Sequence, residues 1–339
     1  VAMTTEQWGF DAGVPLAGGY VKGSTVITFS SEPSDFVVGR LILIDQDDDT
    51  SFIMATDGPS RHLSTVHRIT GILGNAMTIA PPLPYTFSVE LNPKAACCRG
   101  TGATLCGIEG MTVNSTAGAN EIISFYYADR CWVKDVETYN SGNSFIFAVK
   151  SLQCEFRRGY HHHAEGSPSN PDGYGIYLYT GTTYCLVEDN IFTEMFSALL
   201  VTAASCNAFL YNFCWNMTAY DLTWQLGAVN CNHEPHGMMN LYEGNMAEQF
   251  INDGYHGSTS HQTLFRNSLN GISYDGYTNL RWLVNLARAS YYHSCVGNVL
   301  GDPSWTPAKY EMTVANGGGG YSTSCVYKLE YPNSGNTSL

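Results

Sequence analysis

A short alternating strand that returns every 22 residues and closes on asparagine restricts this chain more than any other feature. It reads Cys131-Trp-Val-Lys-Asp-Val136, Cys154-Glu-Phe-Arg-Arg-Gly159 and Cys185-Leu-Val-Glu-Asp-Asn190. It continues as Asn207-Ala-Phe-Leu-Tyr-Asn212, Asn240-Leu-Tyr-Glu-Gly-Asn245, Gln262-Thr-Leu-Phe-Arg-Asn267 and His293-Ser-Cys-Val-Gly-Asn298. The steps Asn190 to Asn212 and Asn245 to Asn267 are 22 residues, and the longer steps of 31 to 33 equal one period plus an insertion. One such unit cannot bury its own apolar face and must stack on the next. Parallel stacking sets equivalent residues about 4.8 Å apart. The closing asparagine suits a bend, because it tolerates the left-handed conformation and its amide can bond to the asparagine one coil away. A second strand lies upstream in several coils, at Ile123-Ser-Phe-Tyr126, Phe145-Ile-Phe-Ala148, Ile176-Tyr-Leu-Tyr179 and Leu199-Leu-Val-Thr202. A β-sandwich also has short, regularly spaced strands, but it does not call for a fixed register or a recurring asparagine. A parallel β-helix calls for both.

At Gly107-Ile-Glu-Gly110, the Cys-x-Val/Phe strands, Asn240-Leu-Tyr-Glu-Gly-Asn245 and His261-Gln-Thr-Leu-Phe-Arg-Asn267, the chain resembles the pectate-lyase-like superfamily over residues 100 to 300. That resemblance implies an all-β fold, a right-handed single-stranded parallel β-helix (solenoid). The same scaffold carries lyases, hydrolases, tailspikes and adhesins, so no single activity follows from it. Asn170-Pro-Asp-Gly173 is similar to the Asn-Thr-Asp-Gly motif of the polygalacturonase-type glycoside hydrolases, and Tyr255-His-Gly257 to their Gly-His-Gly. The family's Asp-Asp pair has Glu194 as its nearest substitute, and Arg281-Trp-Leu283 lacks the lysine of its Arg-Ile-Lys motif.

One domain is expected: residues 1–95 as N-terminal cap and first coils, 96–301 as regular coils, and 302–339 as C-terminal cap and tail. A solenoid end needs a cap, since its unpaired edge invites aggregation. Asp47-Asp48-Asp49, in the first part, reads as a solvated turn more readily than as a cation site. Cys131, Cys154 and Cys185 precede inward apolar residues by two positions, so most of the 11 cysteines are read as free, buried thiols.

Hydrophobic residues make up 44% and charged residues 14%, enough for a core. Apolar runs such as Leu41-Ile-Leu-Ile44 are too short to span a bilayer. A net charge of −14 with only 16 Lys and Arg disfavours a nucleic-acid partner. It favours a neutral glycan, or an anionic one read through calcium, the one cofactor this reading allows. Val1 follows no charged, then apolar leader, so the chain is read as a secreted or cell-surface protein whose signal peptide lies outside this sequence.

The insertions at 164–175, about 218–235 and about 272–280 share one place in the coil. Stacking therefore brings them to one flank, as walls of a lateral groove. Asp172 lies 18 residues before Asn190, and Glu194 lies 18 before Asn212. They are expected to be vertical neighbours whose pKa values separate, giving one acid and one base for glycoside hydrolysis. His256 beside Asp253 is a further acid–base candidate. His163, Arg158, Tyr174, Trp224 and His236 are the expected substrate contacts. Trp215, Tyr220 and Trp224 could stack on sugars, whereas the tyrosines of Ile176-Tyr-Leu-Tyr179 read as core. The histidines show no metal-ligand spacing. Three functions remain open: a hydrolase acting on a polysaccharide or oligosaccharide, a calcium-assisted lyase, and a non-catalytic glycan-binding, tailspike-like or adhesin-like protein.

Overall fold

The computed structural model describes residues 2–3, 12–55, 60–100, 102–115, 120–164, 173–218, 227–272, 282–303 and 325–331. Three parallel sheets of nine, eight and eight strands wrap one core as a right-handed β-helix. One coil runs through Ser144–Val149 in the first sheet, Glu155–Arg157 in the second and Tyr160–His162 in the third. The register follows the repeat: Trp132, Glu155, Leu186, Ala208, Leu241, Thr263 and Ser294 are successive partners. The column from Cys131 to His293 is therefore vertical, as the sequence spacing requires.

Second and third sheets meet through two-residue turns, and here the role of asparagine differs from expectation. The left-handed residue is the one before it: Asp189 (φ 55°), Tyr211 (55°), Gly244 (67°), Arg266 (56°) and Gly297 (66°). That bend aims the next side chain inward, where a buried amide must be satisfied. Asn190 Nδ2 donates to Asn212 Oδ1 at 2.9 Å and to the Phe156 carbonyl at 3.0 Å. The pattern repeats through Asn245, Asn267 and Asn298. A second ladder at the first-to-second corner links Asn207 to Asn240 and ends on Gln262. Between them Phe156, Val187, Phe209, Tyr242 and Leu264 stack, with Phe209 and Tyr242 rings 4.7 Å apart.

The ten described cysteines are free thiols, and Cys106 alone among them is exposed. Burial raises the thiol pKa at Cys131, Cys154, Cys214 and Cys231. In native thiol titration Cys106 is expected to react fast, half-buried Cys206 and Cys295 more slowly and the seven buried thiols slowest, and reductant is expected to leave the melting temperature unchanged. A fall in melting temperature on reduction would show that disulfides hold the fold.

Residues 14–97 are not first coils. They form a closed antiparallel barrel of six strands around Ile27, Phe29, Ile42, Ile44, Ile69 and Met77. The cause is local: a two-residue turn at Gly74-Asn75 returns Ser64–Leu73 directly onto Ala76–Ala80, an antiparallel hairpin no solenoid step contains. The barrel packs along the first-to-second corner of the solenoid. Leu41, Leu43 and Val66 meet Tyr127 and Leu152, and Arg68 pairs with the buried Asp129. At the far end Cys325–Tyr331, within the stretch expected as C-terminal cap and tail, adds another rung to the first sheet.

The longest connections in the solenoid, 163–173, 216–228, 270–281 and 301–324, all join a third-sheet strand to the next first-sheet strand. Their common corner matches the flank expected for the insertions. Among the described residues no helix is long and apolar enough to cross a membrane.

Candidate functional site

Alternation decides which side chains of the first sheet face outward. Ile123 and Phe125, Ile146 and Ala148, Ile176 and Leu178, and Leu199 and Val201 enter the core. Tyr126, Phe147, Tyr177 and Tyr179 therefore face out, and the tyrosines of Ile176-Tyr-Leu-Tyr179 are surface groups, not core. Phe147 and Tyr177 are vertical partners, and Tyr126 and Tyr179 stand in the adjoining column above and below Val149, so the four rings form a strip. Ring centroids lie 5.7 Å apart for Tyr126 and Phe147, 5.3 Å for Phe147 and Tyr177, and 5.5 Å for Tyr177 and Tyr179. Tyr174 extends the strip, 5.6 Å from Tyr177, and so joins it as a substrate contact candidate. The Tyr177 hydroxyl bonds Thr202 Oγ1 at 3.0 Å.

The strip ends at a polar cluster on two consecutive long turns, 231–240 and 253–262. Asp253 is nearly buried (7% side-chain exposure), and His233, in front of it, is 30% exposed. Asp253 Oδ2 lies 2.8 Å from His233 Nδ1 and accepts from Asn230 Nδ2 at 2.8 Å, while Oδ1 accepts from the Tyr255 amide at 2.8 Å. His256 stands edge-on to His233 at 5.0 Å and to Tyr255 at 4.6 Å. The structure thus brings Asp253 and His256 together, but His233 is the histidine that Asp253 holds. Glu234, next in the chain, meets the Tyr179 hydroxyl and lies within electrostatic reach of Tyr177 and His233.

Burial disfavours the charged form of His233, but the hydrogen bond and charge of Asp253, with Glu234 behind, outweigh it and raise the pKa above the usual 6.5. Burial, with the charge of Glu234 adding to it, raises the Tyr177 and Tyr179 hydroxyls. A raised folded-state pKa means that the His233–Asp253 pair stabilises fully below the unfolded pKa and is lost as pH rises through the folded one. The melting temperature of wild type is expected to exceed that of His233→Gln at acid pH, with the gap closing as pH rises. A gap that widened with pH would contradict the pairing.

The other expected residues are distributed as follows. Asp172 and Trp224 lie outside the described residues. Beneath Glu194 the strand register places His163, because His162 pairs with Thr193. Glu194 and His163 are themselves left-handed and form an ion pair, Nε2 to Oε2 at 2.8 Å. The contact chain continues from His163 to His162 (2.5 Å) and from His162 to Glu137 (3.1 Å). His161 alternates inward and is fully buried, its pKa pushed down to about 3 by burial. Arg158 sits at the second-to-third corner, bonded to Asp135 at 2.7 and 3.0 Å, one strand away from the Glu194 corner. His236 is fully buried between Ser260 (2.8 Å), Ser258 and the Phe52 ring, so the expected substrate contact has no face left for a ligand. Trp215 lies on the outer face of the third sheet, stacked on Phe213. Asp45 and Asp47 are bound by Arg61, and Asp48 by His62. No group of three or more His, Cys, Asp or Glu among the described residues is arranged to hold a metal ion.

The sequence offers His233 only as one of several loop histidines, and does not single out Glu234, Tyr177 or Tyr179. For the tyrosines the signal was present: in the Ile176-Tyr-Leu-Tyr179 alternation only one parity can face the core, and Ile176 and Leu178 are the more apolar pair.

No protein-family model matches the chain, and no curated protein matches it. Solved structures of similar path include the gp61 tailspike of Pseudomonas phage phi297, at 12% identity and TM-score 0.48, covering 96% of this chain and 63% of that one. Another is the tailspike of Acinetobacter baumannii bacteriophage AP22 in complex with A. baumannii capsular saccharide, at 9% identity and TM-score 0.49, covering 96% and 57%. The chain spans about three fifths of the length of these tailspikes.

Proposed function

We propose that this chain binds a polysaccharide across the aromatic strip of the first sheet and hydrolyses it at the His233–Asp253–Glu234 end, as a secreted or cell-surface enzyme. The carrying observation is the adjacency of the two parts: a row of outward rings running into a histidine held by a buried carboxylate, with a second carboxylate beside it. Sugar rings present apolar faces that stack on aromatics, while phenol hydroxyls bond sugar hydroxyls. His233, kept protonated by Asp253, donates its proton to the departing glycosidic oxygen. Glu234 accepts a proton from the attacking water. Asp253 is a positioning residue, fixing the tautomer and orientation of the imidazole. The acidic surface favours a neutral glycan, and calcium is the route by which an anionic one would be accommodated.

A competing catalytic assignment, Glu194 with Asp172, draws on the pairing of Glu194 with His163 at the corner where the 165–172 connection begins. In that case Glu194→Gln removes turnover and Glu234→Gln does not.

A panel of polysaccharides, assayed for new reducing ends and for ultraviolet absorbance, tests the reading. Reducing ends without absorbance are expected; absorbing products would instead indicate β-elimination, and retention without cleavage a binding protein. In a cleaved substrate, Tyr177→Ala is expected to raise KM by about 10-fold, equivalent to ~1.4 kcal/mol of lost stacking. An unchanged KM would remove the strip from the binding surface.

A further inference from the structure

Away from the aromatic strip, an open crevice lies at the junction of barrel and solenoid. The barrel segment 46–55 crosses to the solenoid and is pinned there: Ala55 bridges Gly257, Met54 N donates to Ser258 Oγ at 2.9 Å, and Ser258 N donates to the Met54 carbonyl at 2.8 Å. Between this segment and the next solenoid turn a crevice of about 350 Å³ remains, lined by Asp48, Thr50, Ser51, Phe52, Met54 and Tyr291. Its aromatic wall is Phe52 with Tyr291, and Tyr292 and His261 continue the ring stack outside the lining. Phe52 lies 5.8 Å from Tyr291 at 22° and 6.3 Å from Tyr292 at 29°, and His261 lies 4.8 Å from Tyr292. Tyr291 is 43% exposed and Tyr292 is 70% exposed. A core packing role would bury these rings; here their faces are turned to water beside an open volume.

The electrostatics select the ligand. His236, behind Phe52, is held neutral by burial, its pKa pushed down to about 3, and burial also lowers that of His261. The one carboxylate of the lining, Asp48, is taken up by the Ser60 and His62 amides and the His62 ring, while the Thr50 and Ser51 hydroxyls and the Tyr291 phenol supply hydrogen-bonding groups. A flat apolar face, ringed by hydroxyls and without charge, is the complement of such a surface. We infer that the crevice binds a neutral sugar unit, of about one or two rings at this volume. The inference does not depend on cleavage in the trough, and an auxiliary site of this kind would hold a glycan on the solenoid flank whether or not the first sheet turns it over.

Calorimetric titration of the full chain with maltose, cellobiose and lactose tests it, using Tyr291→Ala, Tyr292→Ala and, as a trough control, Tyr177→Ala. The exposed positions of Tyr291 and Tyr292 leave the fold intact in both variants, checked by melting temperature. Saturable binding of at least one disaccharide is expected, with a component that survives Tyr177→Ala and is weakened about 10-fold or more by Tyr291→Ala, and less by Tyr292→Ala beside the lining. Absence of saturable binding by all three sugars overturns the inference. So does loss through Tyr177→Ala alone, or a crystal structure with residues 56–59 of the chain filling the crevice.

Discussion

Glu234→Gln is expected to lower kcat by about 10²- to 10⁴-fold, the range set by removing one acid–base group, with little change in KM. The substitution keeps volume and the hydrogen bond to Tyr179 but removes the proton acceptor, so stability should move by no more than ~0.5 kcal/mol. His233→Gln should lower kcat by a similar factor. The double variant should be little worse than either, because groups that act as a unit are not additive. Unimpaired turnover in Glu234→Gln, together with loss in Glu194→Gln, would move the chemistry to the corner of the third sheet.

Asn212→Leu is expected to cost about 3 kcal/mol, read as a lower urea midpoint. The Asn212 side chain accepts from Asn190 N and Asn190 Nδ2 and donates to Val187 O and Asn245 Oδ1. A leucine fills the space and abandons all four, leaving a buried amide N–H at Asn190 without its acceptor. Each such loss costs about 1–3 kcal/mol, offset in part by the added apolar burial. A change below ~0.5 kcal/mol would show that coil stacking, and not the amide ladder, fixes the register. The same substitution at exposed Asn114, whose side chain accepts from Asn140 Nδ2 at the surface, should cost far less.

The solenoid was legible because its repeat is a vertical pattern: Cys131, Cys154, Cys185, Asn207, Asn240, Gln262 and His293 occupy one column, and the spacing alone places them there. The proposed pairing of Asp172 with Glu194 rested on counting back from the closing asparagines. Asp172 lies outside the described residues, and the strand register places His163 at the position that matches Glu194. The barrel was illegible for the opposite reason, since antiparallel hairpins such as Ser64–Leu73 with Ala76–Ala80 leave no period. His233 and Glu234 sit on a turn of ten residues where its earlier counterparts, such as 150–154, take five or six. Such extra length shows as excess spacing, as in the 33-residue step from Asn212 to Asn245. It does not reveal that Asp253 on the next turn will reach back to His233.

The most direct measurement is a crystal structure of the Glu234→Gln variant soaked with an oligosaccharide from a polysaccharide the wild type cleaves. Sugar rings should lie along Phe147, Tyr177 and Tyr179, with a glycosidic oxygen within hydrogen-bond reach of His233. A chain of sugars seated instead on the exposed third-sheet column of Ile191, Phe213 and Met246, with the first-sheet trough empty, would contradict the assignment of this face.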